Sequence, residues 1–358
     1  MTSTTDALPA SWRPFRRMDA HGGKWWPCDA WQLCVQQAVG MAVWAPWRAC
    51  LALLGTLCFA AICAVAIPPS GSKRVATLCT KKAVARMGRA ASRFVLWTMG
   101  VARIHVTDVA WDDELDDGLI PWKPSEPDEA CPCALWVSNH VSYVDVLVYM
   151  ALQFPSFVSR EETGKTPLVG GVARAMDCVF VRRVPRAKEG SDGNGIARAS
   201  EELSRRAAWR ARLVEEGASD VDVQVPPVVV FAEGTTSNGE QLLTFRTGAF
   251  LSNRWIRPVV VRYRPLWWAP FSLAWESISA LQHVVLTFSQ GWYAVDVLRL
   301  PPCAPPPGTS MDPAAFSRAV RARMSSASGL PCVSATFADK RAYHAHLRAA
   351  IATSTKQD

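Results

Sequence analysis

Short apolar runs alternate with longer stretches of helical periodicity from about residue 134 onward. The apolar runs predict strands at 134–138, 156–159, 178–181, 227–231, 256–263 and 292–300. The stretches between them predict helices at 143–152, 167–176 and 195–216. Apolar strands that alternate with helices are typical of an α/β domain with a mostly parallel sheet flanked by helices.

A different pattern precedes this region. Residues 49–67 carry no charge over 19 positions, and as a helix they would extend roughly 28 Å, close to the ~30 Å hydrocarbon core of a bilayer. Trp44 and Trp47 flank one end, where interfacial aromatics are expected. The segment predicts an N-terminal helical membrane anchor, which either crosses the bilayer or enters and returns. The alternative is a buried helix of a soluble fold.

These patterns divide the chain into three parts. Residues 1–104 are predicted to form a membrane-anchoring helical region, in which 94–104 is an amphipathic stretch leading to the globular part. Residues 105–347 are predicted to form one globular domain, with an acidic, proline-rich loop at 111–133 and a proline-rich connector at 301–308. Residues 348–358 are predicted to be a disordered tail.

The charge distribution favours a membrane surface over a nucleic acid. The chain has a formal net charge of +8, and no nucleic-acid-binding motif stands out. Several cations instead follow the apolar segment, where acidic lipids would meet them: Lys73, Arg74, Lys81, Lys82, Arg86, Arg89 and Arg93. This positive flank places the remainder of the chain on the cytosolic side, whether the anchor crosses or re-enters. The 11 cysteines are expected to be reduced there.

The segment Asn139-His140-Val141-Ser142-Tyr143-Val144-Asp145 follows the first predicted strand. In open α/β sheets, ligands bind at the carboxyl ends of strands. His140 can accept the proton of an attacking hydroxyl, and Asp145, five positions on, can fix its tautomer. The alternative is a His and Asp that form a turn and a helix cap. Neither Ser138 nor Ser142 lies in a nucleophile elbow, so the hydroxyl of the substrate is the expected nucleophile. No zinc-ligand spacing surrounds His140.

A second polar segment follows the strand predicted at 227–231. It supplies a carboxylate, glycines that let backbone amides approach a phosphate, and hydroxyl donors: Glu233, Gly234, Thr235, Thr236, Ser237 and Gly239. Arg246 lies within reach of a bound phosphate, and Arg182 and Arg183 are further candidates. The alternatives are a solvated turn carboxylate for Glu233 and a surface charge pair for the two arginines.

These blocks resemble those of the glycerolipid acyltransferase superfamily. NHVSYVD is similar to its Asn-His-x-x-x-x-Asp signature and FAEGTTSNG to its Phe-Pro-Glu-Gly-Thr block, while VFVRR and IRPVVVRY resemble two further blocks in the expected order. Within the superfamily, EGTTSNG with LLTFRTGAFL, FSLAWESIS and ADKRAYHAHL resembles the branch that acts on lysophosphatidylcholine or lysophosphatidylethanolamine.

The resemblance implies roles for particular residues. His140 would be the general base and Asp145 its partner, Glu233 and Gly234 would bind the acceptor, and Arg183 would contact phosphate. Asn139, Thr235, Thr236 and Arg246 are further candidates for substrate binding. Relatives that form phosphatidic acid usually have Arg where this chain has Thr236, and a hydroxyl there is compatible with a phosphodiester.

The resemblance also implies a function. The chain is expected to be an acyl-CoA-dependent lysophospholipid acyltransferase that uses acyl-CoA as co-substrate and no cofactor. Its partners would be membrane lipids, with no nucleic acid and no calcium-binding module, since no Asp-x-Asp-x-Asp-Gly loop occurs. We expect it at the endoplasmic reticulum membrane, facing the cytosol. The alternatives are an acyltransferase for glycerol-3-phosphate or 1-acylglycerol-3-phosphate, a silent lipid-binding protein, and a hydrolase.

Overall fold

A computed structural model of the chain describes residues 8–17, 35, 37–66, 78–123, 131, 133–166, 169–181, 194–216, 227–267, 269 and 271–354. The strands in these residues are β1 (Val101–Asp108), β2 (Ile120–Pro121), β3 (Leu135–Ser138), β4 (Ser156–Arg160), β5 (Val179–Val181), β6 (Val228–Phe231), β7 (Ile256–Trp267), β8 (Trp292–Arg299) and β9 (Cys303–Ala304). The α-helices are α1 (Ala45–Ala66), α2 (Leu78–Thr98), α3 (Val144–Leu152), α4 (Glu161–Lys165), α5 (Val169–Ala175), α6 (Asn194–Glu215), α7 (Ala280–Ser289), α8 (Pro313–Ser328) and α9 (Phe337–Ser354).

One mixed sheet organises the molecule, with main strand order β1-β8-β7-β3-β6-β4-β5. Strand β3 pairs in parallel with β6 and β7, and β4 pairs in parallel with β5 and β6. Strand β8 runs antiparallel to β7 and parallel to β1. The predicted α/β class with a mostly parallel sheet is therefore confirmed. The carboxyl ends of β3, β4, β5 and β6 share one edge.

Helices cover both faces of the sheet because successive side chains of a strand point to opposite faces. Trp136 of β3 packs in a core with residues of α1, α2 and α3, such as Phe59 and Val148. Its neighbours Leu135 and Val137 lie in a second core with residues of α6 and α8. All four residues of β3 are buried, as expected of a strand covered on both faces.

Helices α1 and α2 form an antiparallel hairpin against the domain. The rings of Trp47 and Trp97 lie 6.0 Å apart, while Gly55 lies against the ring of Phe94. The helix Gln37–Ala66 is long and apolar enough to cross a membrane, and 22% of its most apolar window is buried inside the protein. Much of its remaining apolar surface is exposed, at Val43, Leu53, Leu54, Leu57 and Val65 among others.

Two of the predicted boundaries are wrong. Residues 94–104 are not one amphipathic stretch, because α2 ends at Thr98 and Gly100, with φ +88, turns the chain into β1. The predicted domain border at 104 therefore falls inside a sheet strand, where Ile104 pairs with Val295. The predicted disordered tail is helical as far as Ser354, the end of α9. The rest of the tail, 355–358, lies outside the described residues.

Candidate active site

His140 and Asp145 meet at the carboxyl end of β3. Their contact joins His140 Nδ1 to Asp145 Oδ2 at 2.8 Å. The same carboxylate oxygen accepts the backbone N–H groups of Val141 at 2.7 Å and Ser142 at 3.0 Å, so the turn into α3 closes around it. With a proton on Nδ1 donated to this carboxylate, Nε2 of His140 is left as the basic nitrogen.

Tyr263 holds the other oxygen of Asp145. Its hydroxyl donates to Oδ1 at 2.5 Å, and the carboxyl-terminal half of β7 brings it there from the neighbouring strand. Burial, followed by the nearby Asp145 charge, raises the pKa of Tyr263 well above its ordinary value, so the phenol stays protonated and donates. The sequence pattern includes Tyr263 in the block IRPVVVRY but gives no sign of this contact.

The ring of His140 lies between two cavities. It stacks on Phe231 at a centroid distance of 4.0 Å and an interplanar angle of 15°, and its side chain is 20% exposed. The backbone is held as well, since Ser237 N–H donates to His140 O at 2.9 Å. His140 lines both cavities.

The larger cavity has a volume of about 930 Å³ and a cationic lining. Arg160 at the end of β4, Arg246 and Lys340 contribute to its wall together with serine and threonine hydroxyls. No Asp or Glu occurs among the described residues that line it. Such a lining suits phosphate oxygens. Sequence reasoning missed Arg160 and Lys340, and the predicted Arg182 and Arg183 lie outside the described residues.

The smaller cavity, of about 510 Å³, is apolar. Helices α1, α2, α3 and α5 contribute to its walls, and its lining includes Phe59, Val95, Leu147, Met150 and Met176. A hydrocarbon chain matches these walls, because apolar surface removed from water stabilises a complex by ~25 cal/mol per Å².

Gly234, Thr235 and Arg246 line the larger cavity, where the sequence predicted them to contact substrate. Gly234 has φ +66, and a Cβ there would lie 2.3 Å from Arg246 Nε. Glycine therefore permits both the turn and the close approach of the guanidinium. That these three residues touch substrate stays a prediction.

Glu233 and Asn139 are buried and line neither cavity, and their predicted contact with substrate stays a prediction. The two oxygens of Glu233 accept the backbone N–H groups of His140 and Leu243, each at 2.8 Å. Asn139 donates to Val261 O at 3.0 Å and accepts its N–H at 2.8 Å. Burial raises the pKa of Glu233 to about 8. Both side chains satisfy backbone groups that the site would otherwise leave unpaired, so they hold its loops.

Thr236 also lines the larger cavity, but its hydroxyl is already engaged. Lys340 Nζ, from α9, donates to Thr236 Oγ1 at 2.7 Å and to Thr236 O at 3.0 Å. The same ammonium donates to Glu276 Oε1 at 2.6 Å. This brace ties the C-terminal helix to the loop after β6.

Residues near the N-terminus support the same loop. Asn238 donates from its backbone N–H to Pro14 O at 2.7 Å and from its side chain to Arg13 O at 3.0 Å. Ser277 Oγ donates to Phe15 O at 2.9 Å. Residues 8–17 are therefore packed on the globular domain, although the sequence placed them with the anchor.

Comparisons with known proteins agree with the resemblance. A family model described as Acyltransferase matches residues 128–262. Lysophospholipid acyltransferase LPEAT1 of Arabidopsis thaliana is 34% identical over 274 residues, 74% of this chain and 64% of that protein. Lysophosphatidylcholine acyltransferase 2 of Mus musculus is 32% identical over 57% of this chain and 34% of that protein. The chain thus spans less than two thirds of the length of these curated relatives. The crystal structure of the 1-acyl-sn-glycerophosphate acyltransferase PlsC from Thermotoga maritima aligns over 77% of this chain and 95% of that chain, with 19% identity and a TM-score of 0.43.

Proposed function

Because residues 128–262 match a family model described as Acyltransferase, we propose that the protein is an acyl-CoA-dependent lysophospholipid acyltransferase. It transfers a fatty acyl group to the free hydroxyl of a 1-acyl-glycerophospholipid, either lysophosphatidylethanolamine or lysophosphatidylcholine. The observation that carries the proposal is the position of His140, paired with Asp145, where a cation-lined cavity and an apolar cavity meet. The relatives, a lysophospholipid acyltransferase and a lysophosphatidylcholine acyltransferase, support a lysophospholipid acceptor.

The proposed reaction needs one base. Nε2 of His140 takes the proton of the acceptor hydroxyl while the oxygen attacks the thioester carbonyl carbon. The carbon–sulfur bond then breaks, and the coenzyme A thiolate takes the proton from the imidazolium. Asp145 stabilises that imidazolium through Nδ1. A general base of this kind contributes ~10²–10⁴ to the rate.

The two cavities match the charged and the apolar parts of the substrates. We place the fatty acyl chain in the apolar cavity and the phosphate groups against Arg160 and Arg246 in the larger one. Because His140 borders both, an ester bond can form at the junction while each substrate keeps its preferred surroundings.

We propose further that the α1–α2 hairpin lies in one leaflet and returns, which is the re-entrant one of the two anchoring modes left open by the sequence. Its antiparallel packing supports this, since the helix paired to α1 runs back along it. Exposed apolar side chains such as Leu53, Leu54 and Phe94 would enter the acyl region. The exposed Lys81 and Arg86 of α2 would meet anionic headgroups. The membrane we propose is that of the endoplasmic reticulum, with the site open to cytosolic acyl-CoA.

The test is acyl transfer from radiolabelled palmitoyl-CoA to a panel of acceptors in phospholipid vesicles. His140→Ala should lower the rate by ~10²–10⁴ and keep the melting temperature and vesicle binding. His105→Ala is the matched control, since His105 is exposed on β1 and lines neither cavity. Wild-type rates in the His140 variant refute the mechanism.

The acceptor panel separates the alternatives. A strong preference for glycerol-3-phosphate or 1-acylglycerol-3-phosphate over lysophospholipids contradicts the proposed acceptor. Release of free fatty acid without an acceptor indicates a hydrolase. No turnover with any acceptor, together with lipid binding, indicates a silent lipid-binding protein.

A further inference from the structure

The C-terminal helix α9 forms part of the wall of the larger cavity. Phe337, Lys340 and His344 of this helix line the cavity, because residues three and four apart lie on one face of a helix. Nothing in the catalytic mechanism proposed above uses His344. Its side chain is 36% exposed, so it can be reached from the cavity and can change rotamer.

Behind His344 lies a buried carboxylate with one oxygen engaged. Glu276 is 1% exposed, and its Oε1 accepts from Lys340 Nζ at 2.6 Å. Its Oε2 and the Nε2 atom of His344 have no hydrogen-bond partner among the described protein groups. These two atoms face each other at 3.8 Å.

An unpaired oxygen of a buried carboxylate is unfavourable, so this pair is suited to a hydrogen-bond donor. A nitrogen about 2.9 Å from each of the two atoms fits between acceptors separated by this distance. It must carry at least two hydrogens, one for Glu276 Oε2 and one for His344 Nε2 in its Nδ1-protonated form. A primary ammonium meets this requirement. A quaternary ammonium has no N–H groups, and its methyl groups hold the nitrogen too far from both atoms.

Lys340 does not compete for this oxygen. Its three donors are used by Thr236 O, Thr236 Oγ1 and Glu276 Oε1. The cavity wall also carries cations, among them Arg246, which lies after β6 in the same part of the chain as Thr236. A ligand that presents a phosphate and a primary amine together therefore matches both regions, whereas an isolated amine reaches Glu276 but is repelled by the cations.

We propose that Glu276 and His344 form a headgroup site that selects phosphoethanolamine over phosphocholine. The imidazole shifts slightly to admit the ammonium, which donates to Glu276 Oε2 and to His344 Nε2, while the phosphate of the ligand faces Arg246. This inference rests on the proposed lysophospholipid acceptor and adds the residues that read its headgroup.

The test compares kcat/KM for 1-palmitoyl lysophosphatidylethanolamine and 1-palmitoyl lysophosphatidylcholine. The wild type should prefer the ethanolamine lipid. His344→Ala should lower kcat/KM for that lipid about tenfold, as expected for the loss of one charge-assisted hydrogen bond. Rates with the choline lipid should change less than about twofold. His346→Ala is the matched control, because His346 is exposed on the same helix and lines neither cavity.

A second measurement separates this inference from the proposed function. Millimolar glycerophosphoethanolamine should raise the melting temperature of the wild type more than glycerophosphocholine does, and His344→Ala should abolish the difference. This readout needs no turnover, so it decides the headgroup site even if the wild type acylates neither lipid. Equal losses on both lipids, a wild-type preference for choline, or equal thermal shifts with both probes would overturn the proposal.

Discussion

Replacing Tyr263 by phenylalanine tests whether the second oxygen of Asp145 matters to the base. The change removes one hydroxyl, which donates to Oδ1 of a buried carboxylate at 2.5 Å. A hydrogen bond to a charged group contributes about 1.5–3 kcal/mol. Asp145 Oδ2 keeps its three contacts with His140, Val141 and Ser142. We therefore expect the lower end of that range, a fall in kcat/KM of about tenfold.

The pH profile distinguishes this role of Tyr263 from a structural one. Without the phenol, more negative charge stays on the carboxylate of Asp145, so the site holds a proton more tightly. The acidic limb of the kcat/KM profile should therefore move to higher pH. Initial rates of acyl transfer between pH 5 and 9 measure the shift.

Tyr293→Phe is the control for loss of a buried hydroxyl. Tyr293 lies on the adjacent strand β8, is 1% exposed and donates to the carbonyl of Phe271. It should lose stability as Tyr263→Phe does, yet keep the wild-type pH profile. If both variants give the same profile, Tyr263 does not act through Asp145 and the reasoning is refuted.

Three further predictions follow from the site and the hairpin. Gly234→Ala should raise KM at least tenfold, because the added Cβ displaces Arg246 from its place in the cavity wall. Gly308→Ala is the control, since Gly308 has φ +79 but open space around it, so this variant should show backbone strain alone. Equal kinetics in the two variants contradict the prediction. Burial raises the pKa of Glu233 from 4.5 to about 8. Between these two pH values, the folded protein keeps a proton on Glu233 that the unfolded chain has released. Stability should therefore fall as pH rises toward 8, with a shallower dependence in Glu233→Gln, as checked by thermal denaturation across pH. Replacing Leu53 and Leu54 together by serine should weaken flotation with anionic vesicles at least tenfold, since each buried leucine contributes about 1.5–3 kcal/mol; unchanged flotation places these residues outside the membrane.

Local patterns in the sequence predict the core of the sheet and its His–Asp pair. Strand β3 reads as an apolar run because it is buried on both faces. His140 and Asp145 are five positions apart, so one turn at a strand end brings them together. The burial of β3 and the His140–Asp145 contact can both be inferred from residues that lie within a few positions of each other in the sequence.

The remaining contacts join residues far apart in sequence. Tyr263 and Asp145 are separated by 118 positions, and Lys340 and Thr236 by 104. A periodicity contains no information about which distant strand or helix will be adjacent. The mostly exposed strand β1 likewise lacks the apolar run that reveals buried strands. The sequence therefore predicted which residues surround His140 locally and missed those that α9 and β7 bring to it.

The pairing of β1 with β8 imposes an order on assembly. Strand β1 directly follows the apolar hairpin, but its parallel partner is complete only at Arg299. During synthesis, the hairpin is therefore available to lipid long before the sheet can close. With the hairpin in lipid, as proposed above, the domain would fold on a chain already tethered to a surface. That tether would shorten the search for a strand pairing nearly 200 residues apart, for which loop closure is slow.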